Sequence, residues 1–570
     1  MSRRLRVGAS LPIVALLALS LSSPTASAQS AGEPSSSVSS SASSPSPAPG
    51  KTGGSRSGSL PERNVRPYNP KPLDVVRDPG KLAGLHRRTL RLSTDRIDLM
   101  RGATVLRSVP FDARSTVSFS AVAAAVGPGP WVKDLGDGQL LLKAAFAQGP
   151  GTSVRFGGDG TDTIRLAARP DVFIGGVQAR ATFQDVLVTS WNVSAQQVDR
   201  DYRGDRPFIL YEGGSVLDIV GSEIAYLGSD RSMAYGTSWR LGATGSMTDS
   251  DVHDNFFGVY SFRARDLRLE GNRIHDNVYY GVDPHDYTKG LDIRGNEVYG
   301  NGDHGIVLSV GVTDGVIAQN HVHDNDGNGI VMDERSDGNL IEGNRSERNR
   351  GDGIVVLGSS RVVVRGNVIS DNRVGVRLNH DGEHNVVRSN TIQGNREGVE
   401  VYDGAVDTLF EANRISSSSE AGMVLEEVGS VSRDDRISDG PVGIEVRGPA
   451  TIEGSATRGV ERGIVVTSRG IAEIDGVDLE ASDAAVELDR GAIARVRRSR
   501  LAAPDPFTGA QPRLAVANDI AHPWWSLPWF AIAGLSFVLL ALVLQAVHRT
   551  RNIGMRRHRS RAPAGVSNAR

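Results

Sequence analysis

The sequence predicts an all-β protein, a right-handed parallel β-helix, from three repeats that share one period. One series of asparagines recurs every 23 or 24 residues, at Asn272, Asn296, Asn320, Asn344, Asn367, Asn390 and Asn413. A second series has a similar period, at Asn255, Asn277, Asn301, Asn325, Asn349, Asn372 and Asn395. Glycines keep step with both, at Gly258, Gly281, Gly305, Gly329, Gly353, Gly375, Gly398 and Gly422. Three series in phase predict a solenoid in which each unit forms one coil.

Each repeat unit has the pattern of short strands joined by turns. It reads Gly-Asn-x-Ile/Val-x-x-Asn and then Gly-Ile/Val-x-Val/Leu, with apolar and polar residues alternating as in a strand. No helical stripe of useful length occurs between Leu141 and Leu501. Coils of this kind stack about 4.8 Å apart, so asparagines in phase would bond to their copies above and below. A β-propeller needs a longer repeat, and a leucine-rich solenoid needs leucines around the asparagine.

The composition fits a turn-rich solenoid. The chain has 66 glycines in 570 residues and only 5% aromatic residues, as expected for a core of stacked Val, Ile and Leu. A net charge of −2 gives no indication of nucleic-acid binding. The chain has no cysteine, so an exported form would be stabilised by its core without disulfides.

The N-terminal residues predict export. Arg3, Arg4 and Arg6 precede an apolar run, and cleavage after Ala28 would remove residues 1–28 as a signal peptide. Residues 29–60 are rich in Ser and Pro and are expected to form a disordered linker. Residues 61–140 are expected to be a lead-in or cap, with short strands at 90–92 and 117–120. The β-helix itself is expected over 141–505.

The C-terminal residues predict a membrane anchor. Residues 527–547 are almost wholly apolar and long enough to cross about 30 Å of hydrocarbon. Tryptophans stand at the start of this run, and a basic tail over 548–570 contains seven arginines from Arg549 onward and no acid. The positive-inside rule predicts a single-pass cell-membrane protein with the β-helix outside and the C-terminus in the cytoplasm. A buried C-terminal helix is the alternative.

One repeat unit, or rung of the solenoid, differs in composition from the other repeat units. Residues 280–286 read Tyr-Gly-Val-Asp-Pro-His-Asp, which combines a phenol, an imidazole and two carboxylates. If Val282 and Pro284 point inward, Asp283 and His285 point outward, because side chains alternate along a strand. Alignment of the rungs on their glycines then gathers polar and aromatic residues on one outer face: Arg240, Tyr260, Tyr280, Asp283, His285 and His304. Such a face, running along the solenoid axis, suits an extended sugar polymer.

The motif and its flanks resemble the mannuronan C-5-epimerases, in particular the periplasmic type. Similar segments occur there in the same order as residues 235–239, 257–261, 304–306 and 329–333 of this chain, and the resemblance covers roughly residues 180–350. It implies proton exchange at C5 of a uronate within a polysaccharide. His285 would be the base, Tyr280 would act on the opposite face of the sugar or position a water there, and Asp283 or Asp286 would orient His285 or hold the sugar.

The chain departs from this family at one position. The periplasmic epimerases have an arginine after the His-Gly-Ile-x-x-Ser stretch, assigned to neutralise the substrate carboxylate, and here that position is Val310. Arg240, Lys289 or Arg335 would have to replace it, and Arg240 is preferred because its column faces the site. Tyr260, His304 and Asp286 complete the expected substrate-binding set.

No cofactor and no metal are expected. Clustered aspartates at Asp324, Asp326, Asp333 and Asp337 match no calcium-loop spacing. Four further histidines recur near Asp-Asn turns and are interpreted as turn residues: His253, His275, His321 and His323.

Three functions remain open from the sequence. The first is a membrane-anchored, extracytoplasmic C-5-epimerase acting on an anionic polyuronate. The second is a polysaccharide lyase that uses the same site. The third is a non-catalytic solenoid that binds glycan or scaffolds a membrane complex. The expected partners are the uronan, the membrane and, for an anchored enzyme, membrane-bound proteins of polysaccharide synthesis or export.

Overall fold

The chain folds into a parallel β-solenoid in which each coil contributes strands to three sheets. The structure, a computed structural model, describes residues 87–231, 233–510, 513–514, 518–521 and 537–545. Within each sheet, the strands of successive coils pair in parallel. The expected signal peptide, the Ser/Pro-rich linker and the basic tail lie outside the described residues.

Sheet I carries the unusual rung. Its strands are Arg88–Leu92, Ala145–Gln148, Phe173–Val177, Phe208–Glu212, Thr237–Arg240, Val259–Phe262, Val282–His285, Ile306–Ser309, Ile330–Asp333, Ile354–Leu357, Val374–Asn379, Glu397–Val401, Ala421–Leu425 and Asp505–Gly509. Three long strands run through sheet III and continue into sheet I: Arg436–Val446, Ala456–Val466 and Asp478–Leu488.

Sheets II and III complete each coil. The strands of sheet II are Thr116–Ser118, Ser153–Phe156, Arg180–Gln184, Val216–Val220, Thr244–Thr248, Leu267–Glu270, Asp292–Arg294, Val316–Ala318, Leu340–Glu342, Val363–Arg365, Val386–Arg388, Leu409–Glu411, Ser430–Arg433, Pro449–Glu453, Ile471–Asp475, Ile493–Arg497 and Arg513–Leu514. Besides the long strands, sheet III contains Gln139–Leu142, Thr163–Ala167, Leu187–Trp191, Glu223–Ala225, Asp251–His253, Arg273–His275, Glu297–Tyr299, His321–His323, Arg345–Glu347, Val368–Ser370, Thr391–Gln393, Arg414–Ser416, Arg500–Ala502 and Asp519–Ala521.

The asparagine repeats form two internal ladders, as the sequence predicts. In the first, the Asn320 side-chain oxygen accepts from the Asn296 backbone N–H at 3.0 Å and from its Nδ2 at 2.9 Å. The Asn320 Nδ2 in turn donates to Asn344 Oδ1 at 3.0 Å and to the Ile293 carbonyl at 2.9 Å. These buried amides satisfy backbone groups at the corners of the coil, where a turn breaks the sheet ladder.

The repeated glycines are required by the close approach of successive coils. A Cβ added at Gly281 would lie 2.7 Å from the Gly305 carbonyl oxygen and 2.7 Å from a Val298 methyl group. Only glycine leaves room for the backbone at this corner. The interior holds stacked aliphatic side chains, such as Val259, Val282 and Ile306, all at most 1% exposed.

The N-terminal end has antiparallel strands and one helix in addition to the parallel coils. Strand Arg96–Arg101 pairs antiparallel with Arg88–Leu92 and with Thr104–Pro110, and Val132–Gly136 pairs antiparallel with Gln139–Leu142. The expected strand over 117–120 is shorter than predicted. It ends at Ser118, whose hydroxyl accepts the Ala121 N–H and caps the helix Phe119–Val126.

The predicted membrane anchor is not found. Within the described part of the chain, no helix is long and apolar enough to cross a membrane. Of the span 527–547, the structure describes residues 537–545, which are helical. The predicted single-pass location in the cell membrane is therefore corrected.

Candidate active site

The unusual rung lies in the middle of sheet I, between Val259–Phe262 and Ile306–Ser309. The register places Asp283 beside Tyr260 and His285 beside Phe262. One coil earlier, Arg240 is the neighbour of Phe262. Val282 is in the core and Asp283 lies on the opposite, outer side of the sheet, as strand alternation requires.

The outer face of sheet I is lined by an aromatic wall. The residue before each rung's glycine lies along one edge, and the rings contact their neighbours in series. Phe257 and Tyr280 have centroids 5.5 Å apart, and Tyr280 stacks on His304 at 5.3 Å. Tyr260 packs against Tyr235 at 4.8 Å. Because this wall covers the sheet, outward-facing Asp283 is only 2% exposed and Tyr260 only 8%.

His285 has a defined orientation at the end of its strand. Its side chain is 19% exposed, its Nδ1 lies 3.4 Å from Asp286 Oδ2, and its ring centroid is 6.1 Å from that of Tyr260. Asp286 and Tyr287 both have left-handed backbone angles, with φ of 41° and 61°, which turn the chain sharply after His285. The Thr288 hydroxyl donates to the His285 carbonyl at 2.9 Å and fixes this turn.

Both tyrosines near the motif are held in the protonated form. Burial raises the pKa of Tyr260 well above its ordinary value of 10, and the Asp283 carboxylate raises it further. Burial likewise raises the pKa of Tyr280, with Tyr279 and Asp303 adding to the effect. At neutral pH each phenol is therefore a hydrogen-bond donor and a proton source, not a base.

His304 is held in the neutral form. Burial lowers the pKa of His304 to about 4, and the nearby Arg377 guanidinium lowers it further. Its Nδ1 accepts the Asn328 backbone N–H at 2.9 Å, so the proton is on Nε2. That Nε2 is buried and has no hydrogen-bond partner among the described residues.

Of the three predicted cations, Arg240 is buried, and Lys289 and Arg335 are exposed. Arg240 lies in the predicted column, but it is 2% exposed, with its NH1 3.6 Å from Glu212 Oε2 and its guanidinium carbon 5.1 Å from the Phe262 ring centre. Lys289 is exposed after Thr288, where its backbone forms parallel bridges with Arg265 and Thr313. Arg335 is exposed, two coils beyond His285.

The structure brings in an arginine that the column alignment missed. The Arg263 N–H donates to the carbonyl oxygens of His285 and Asp286, at 3.4 and 3.1 Å. Its guanidinium carbon is 5.3 Å from the Phe262 ring centre and 5.7 Å from that of Tyr287. The side chain is partly exposed. The sequence did contain a signal for Arg263. Residues 263, 286 and 310 each follow the glycine of their repeat by five positions, so Arg263 shares a column with Val310, and this column lies one position after the column of His285.

Val310 occupies the position where the family resemblance predicts an arginine. Its φ of 63° places a β-branched residue in the left-handed region, and the side chain is 6% exposed. Such a conformation is strained for valine, by an amount on the order of 1–3 kcal/mol. The aliphatic side chain provides no charge at this position.

The chain has sequence relatives with a defined activity. The mannuronan C5-epimerase of Pseudomonas syringae pv. tomato is 31% identical over 164 residues, which are 26% of this chain and 30% of that protein. The mannuronan C5-epimerase of Pseudomonas fluorescens is 34% identical over 169 residues, 27% of this chain and 32% of that protein. The chain is a relative of the mannuronan C5-epimerases. It spans about a third of the length of these curated relatives.

Comparison of folds defines the handedness of the solenoid. A family model described as a right handed beta helix region matches residues 207–340 and 315–455. The crystal structure of the periplasmic alginate epimerase AlgG superimposes with a TM-score of 0.53 at 24% identity, covering 58% of this chain and 83% of that structure. The fold is therefore a right-handed parallel β-helix.

Proposed function

We propose that this relative of the mannuronan C5-epimerases catalyses C-5 epimerisation of mannuronate-type residues within a polyuronate such as alginate. The observation that carries the proposal is the position of His285 on sheet I, partly exposed, with the protonated Tyr260 beside its ring and the Arg263 backbone bonded to its carbonyl. An imidazole, phenols and a guanidinium are the groups that a proton exchange next to a carboxylate needs.

His285 is the proposed base. It takes the C5 proton, and the electron pair left on C5 is delocalised into the adjacent carboxylate. An imidazole with an ordinary pKa near 6.5 suits this step at neutral pH. Asp286, 3.4 Å from the His285 Nδ1, is proposed to orient the ring and stabilise its charged form.

Arg263 is the proposed cation that neutralises the substrate carboxylate, a role that the uncharged Val310 does not provide. It lies one coil before His285, about 4.8 Å along the axis, whereas Arg335 lies two coils away. Its backbone N–H is bonded to the His285 and Asp286 carbonyls, which holds its backbone next to that of the base. Arg240 is engaged by Glu212 below the surface and is assigned the supporting role of packing against Phe262.

Tyr280 is the proposed acid. A proton from its phenol is added to C5 on the face opposite His285, which inverts the centre and completes the isomerisation. The His285 proton then leaves to solvent and Tyr280 is reprotonated, so the cycle needs no oxidant or cofactor. Asp283, Tyr260 and the Nε2–H of His304 are proposed to bind sugar hydroxyls, since each is a polar group in the groove wall. Lys289 is given no role.

The test is solvent exchange with the purified full chain. In deuterium oxide, polymannuronate should acquire deuterium at C5 and contain guluronate, as read by NMR. An unsaturated product absorbing in the ultraviolet would instead indicate a lyase, and no exchange on any polyuronate would leave a non-catalytic binding solenoid.

A second experiment tests the relocated cation. Arg263→Ala should reduce exchange about 10²–10³-fold, the effect of removing one charge-stabilising donor. The exposed neighbour Arg265 is the matched control, and Arg265→Ala should leave the rate within about twofold. Val310→Arg, made in the Arg263→Ala background, should recover part of the lost rate. Full activity of Arg263→Ala would remove this residue from the mechanism.

A further inference from the structure

The outer face of sheet III carries a ladder of stacked rings that the groove does not use. It is formed by His253, His275, Tyr299 and His323, one from each of four successive coils. The ring centroids are 5.1, 4.7 and 5.1 Å apart in that order, and the planes are within 12° of parallel. These rings therefore form a regular stack on this face. The interpretation of the histidines as turn residues does not explain such a stack, because the histidines lie in strands.

The first two histidines are each held between two carboxylates. His275 has its Nδ1 2.8 Å from Asp276 and its Nε2 2.9 Å from Asp251 of the preceding coil. His253 is held in the same way by Asp254 and Glu223, at 2.9 and 3.2 Å. Burial alone would lower the pKa of His253, but these two bonds raise it above 6.5. In both rings, therefore, each nitrogen lies beside a carboxylate oxygen.

His323 departs from this pattern. Its Nδ1 lies 2.7 Å from Asp324, but its Nε2 is 3.5 Å from Glu297 Oε1, beyond a hydrogen bond. This Nε2 is buried without a hydrogen-bond partner among the described residues. A second imidazole, His321, stands on the same face of the strand with its ring 4.1 Å away. Coordinating atoms of Glu297, His321 and His323 all lie within 4.8 Å of one another.

We propose that Glu297, His321 and His323 bind a divalent transition metal of the zinc class. Two imidazoles and one carboxylate form a standard ligand set for such ions. Ligand atoms about 2.0–2.1 Å from a tetrahedral metal lie about 3.3 Å apart, close to the separation between Glu297 and the His323 Nε2. The gap that is too long for a hydrogen bond is thus about the right length for a bridging ion.

The surrounding carboxylates support this set of ligands. Asp324 holds the His323 Nδ1, which fixes the tautomer and directs the Nε2 lone pair toward Glu297. Glu347 lies 3.0 Å from the His321 Nε2 and leaves the other ring nitrogen for the ion. Arg345 and Arg348 donate to Glu347 at 2.7 and 2.6 Å. Their positive charges next to the proposed site are therefore compensated by the Glu347 carboxylate.

The ion would connect two neighbouring coils. Glu297 is in strand Glu297–Tyr299, and both histidines are in His321–His323 of the next coil. Since a ligand that binds only the folded state stabilises it, the metal would raise the resistance of this part of the solenoid to unfolding. Three protein ligands leave a fourth position for water or an anionic group. The site is on a different sheet from His285, so its function is separable from the proposed epimerisation.

The test is metal binding by the chelator-treated full chain. Isothermal titration with Zn²⁺ should show one site per chain, and Co²⁺ should give the visible bands of a low-coordinate complex. His323→Gln and His321→Gln should remove this binding, with folding checked by circular dichroism. His275→Gln is the matched control, because His275 has the same stacking and the same following aspartate but no second histidine, and it should bind normally. Asp324→Asn should weaken binding about 10–100-fold.

Several results would overturn the site. These are no Zn²⁺ binding at millimolar metal, binding unchanged in His321→Gln, or equal loss in the His275→Gln control. Each outcome is independent of C5 exchange, so failure of the metal site and failure of the proposed epimerase activity can be told apart.

Discussion

Replacement of Asp435 by asparagine is expected to stabilise the solenoid at neutral pH. Asp435 continues the first asparagine ladder with a carboxylate, accepting from the Asn413 backbone N–H at 2.8 Å and from its Nδ2 at 2.9 Å. The Ser432 hydroxyl donates to its second oxygen at 2.7 Å. Burial raises the pKa of Asp435 to about 6, against a starting value of 3.8, because these bonds do not compensate the loss of hydration.

The size of the effect follows from this shift. A folded-state pKa above the unfolded value means that the stabilising form is the protonated one, fully present below about pH 4. As the pH rises through 6, the folded protein loses about 3 kcal/mol, from about 2 pKa units at 1.36 kcal/mol each. Asparagine is neutral at every pH and keeps an acceptor for Asn413. Asp435→Asn should therefore gain about 3 kcal/mol at pH 7.5 and nearly nothing at pH 4.

The assay is guanidinium unfolding of wild type and variant at several pH values, followed by circular dichroism. The adjacent Asp434 is exposed, and Asp434→Asn is the matched control with an expected change within about 0.5 kcal/mol. The reasoning is refuted if Asp435→Asn is destabilising at pH 7.5, or if its gain is the same at pH 4 and pH 7.5.

Two further predictions concern buried polar groups. Asn320→Ala removes the acceptor of the Asn296 backbone N–H and should cost about 1–3 kcal/mol in unfolding free energy, measured by guanidinium titration; a loss below about 0.5 kcal/mol would contradict a structural role for the ladder. His304 has a folded-state pKa of about 4, below its unfolded value of 6.5, so its contribution is present at pH 7 and is lost as the pH falls. Wild type should lose about 3 kcal/mol more than His304→Gln between pH 7 and pH 4, and parallel pH profiles would show that His304 is not held neutral.

The fold was predictable because its determinants repeat. Each asparagine ladder and each corner glycine is specified by one local requirement copied along the chain, so a period of 23 or 24 residues is visible without any structure. The helix Phe119–Val126 was missed because it occurs once, and its cap Ser118 looks in sequence like the end of a strand. The apolar span 527–547 was read from length and hydropathy alone, and the described part of the chain contains no helix able to cross a membrane.

For the candidate site, the sequence predicted only which side chains of a strand point outward. Alternation gave the outward positions of Asp283 and His285, but it could not tell that Arg240 is buried and paired with Glu212. That pairing depends on a strand from an earlier, less regular coil. Arg263 was missed because it lies in the turn, where left-handed residues end the alternation. The separation of Glu297 and His323 likewise depends on side-chain conformations that a column alignment does not specify.

The central claim is that His285 removes the C5 proton of a uronate held in the sheet I groove. The most direct measurement is deuterium incorporation at C5 of polymannuronate in deuterium oxide, catalysed by wild type, by His285→Gln and by the control His275→Gln. Wild type and control should both exchange, and His285→Gln should lose about 10²–10⁴-fold in rate. Exchange that persists at the wild-type rate in His285→Gln would contradict it.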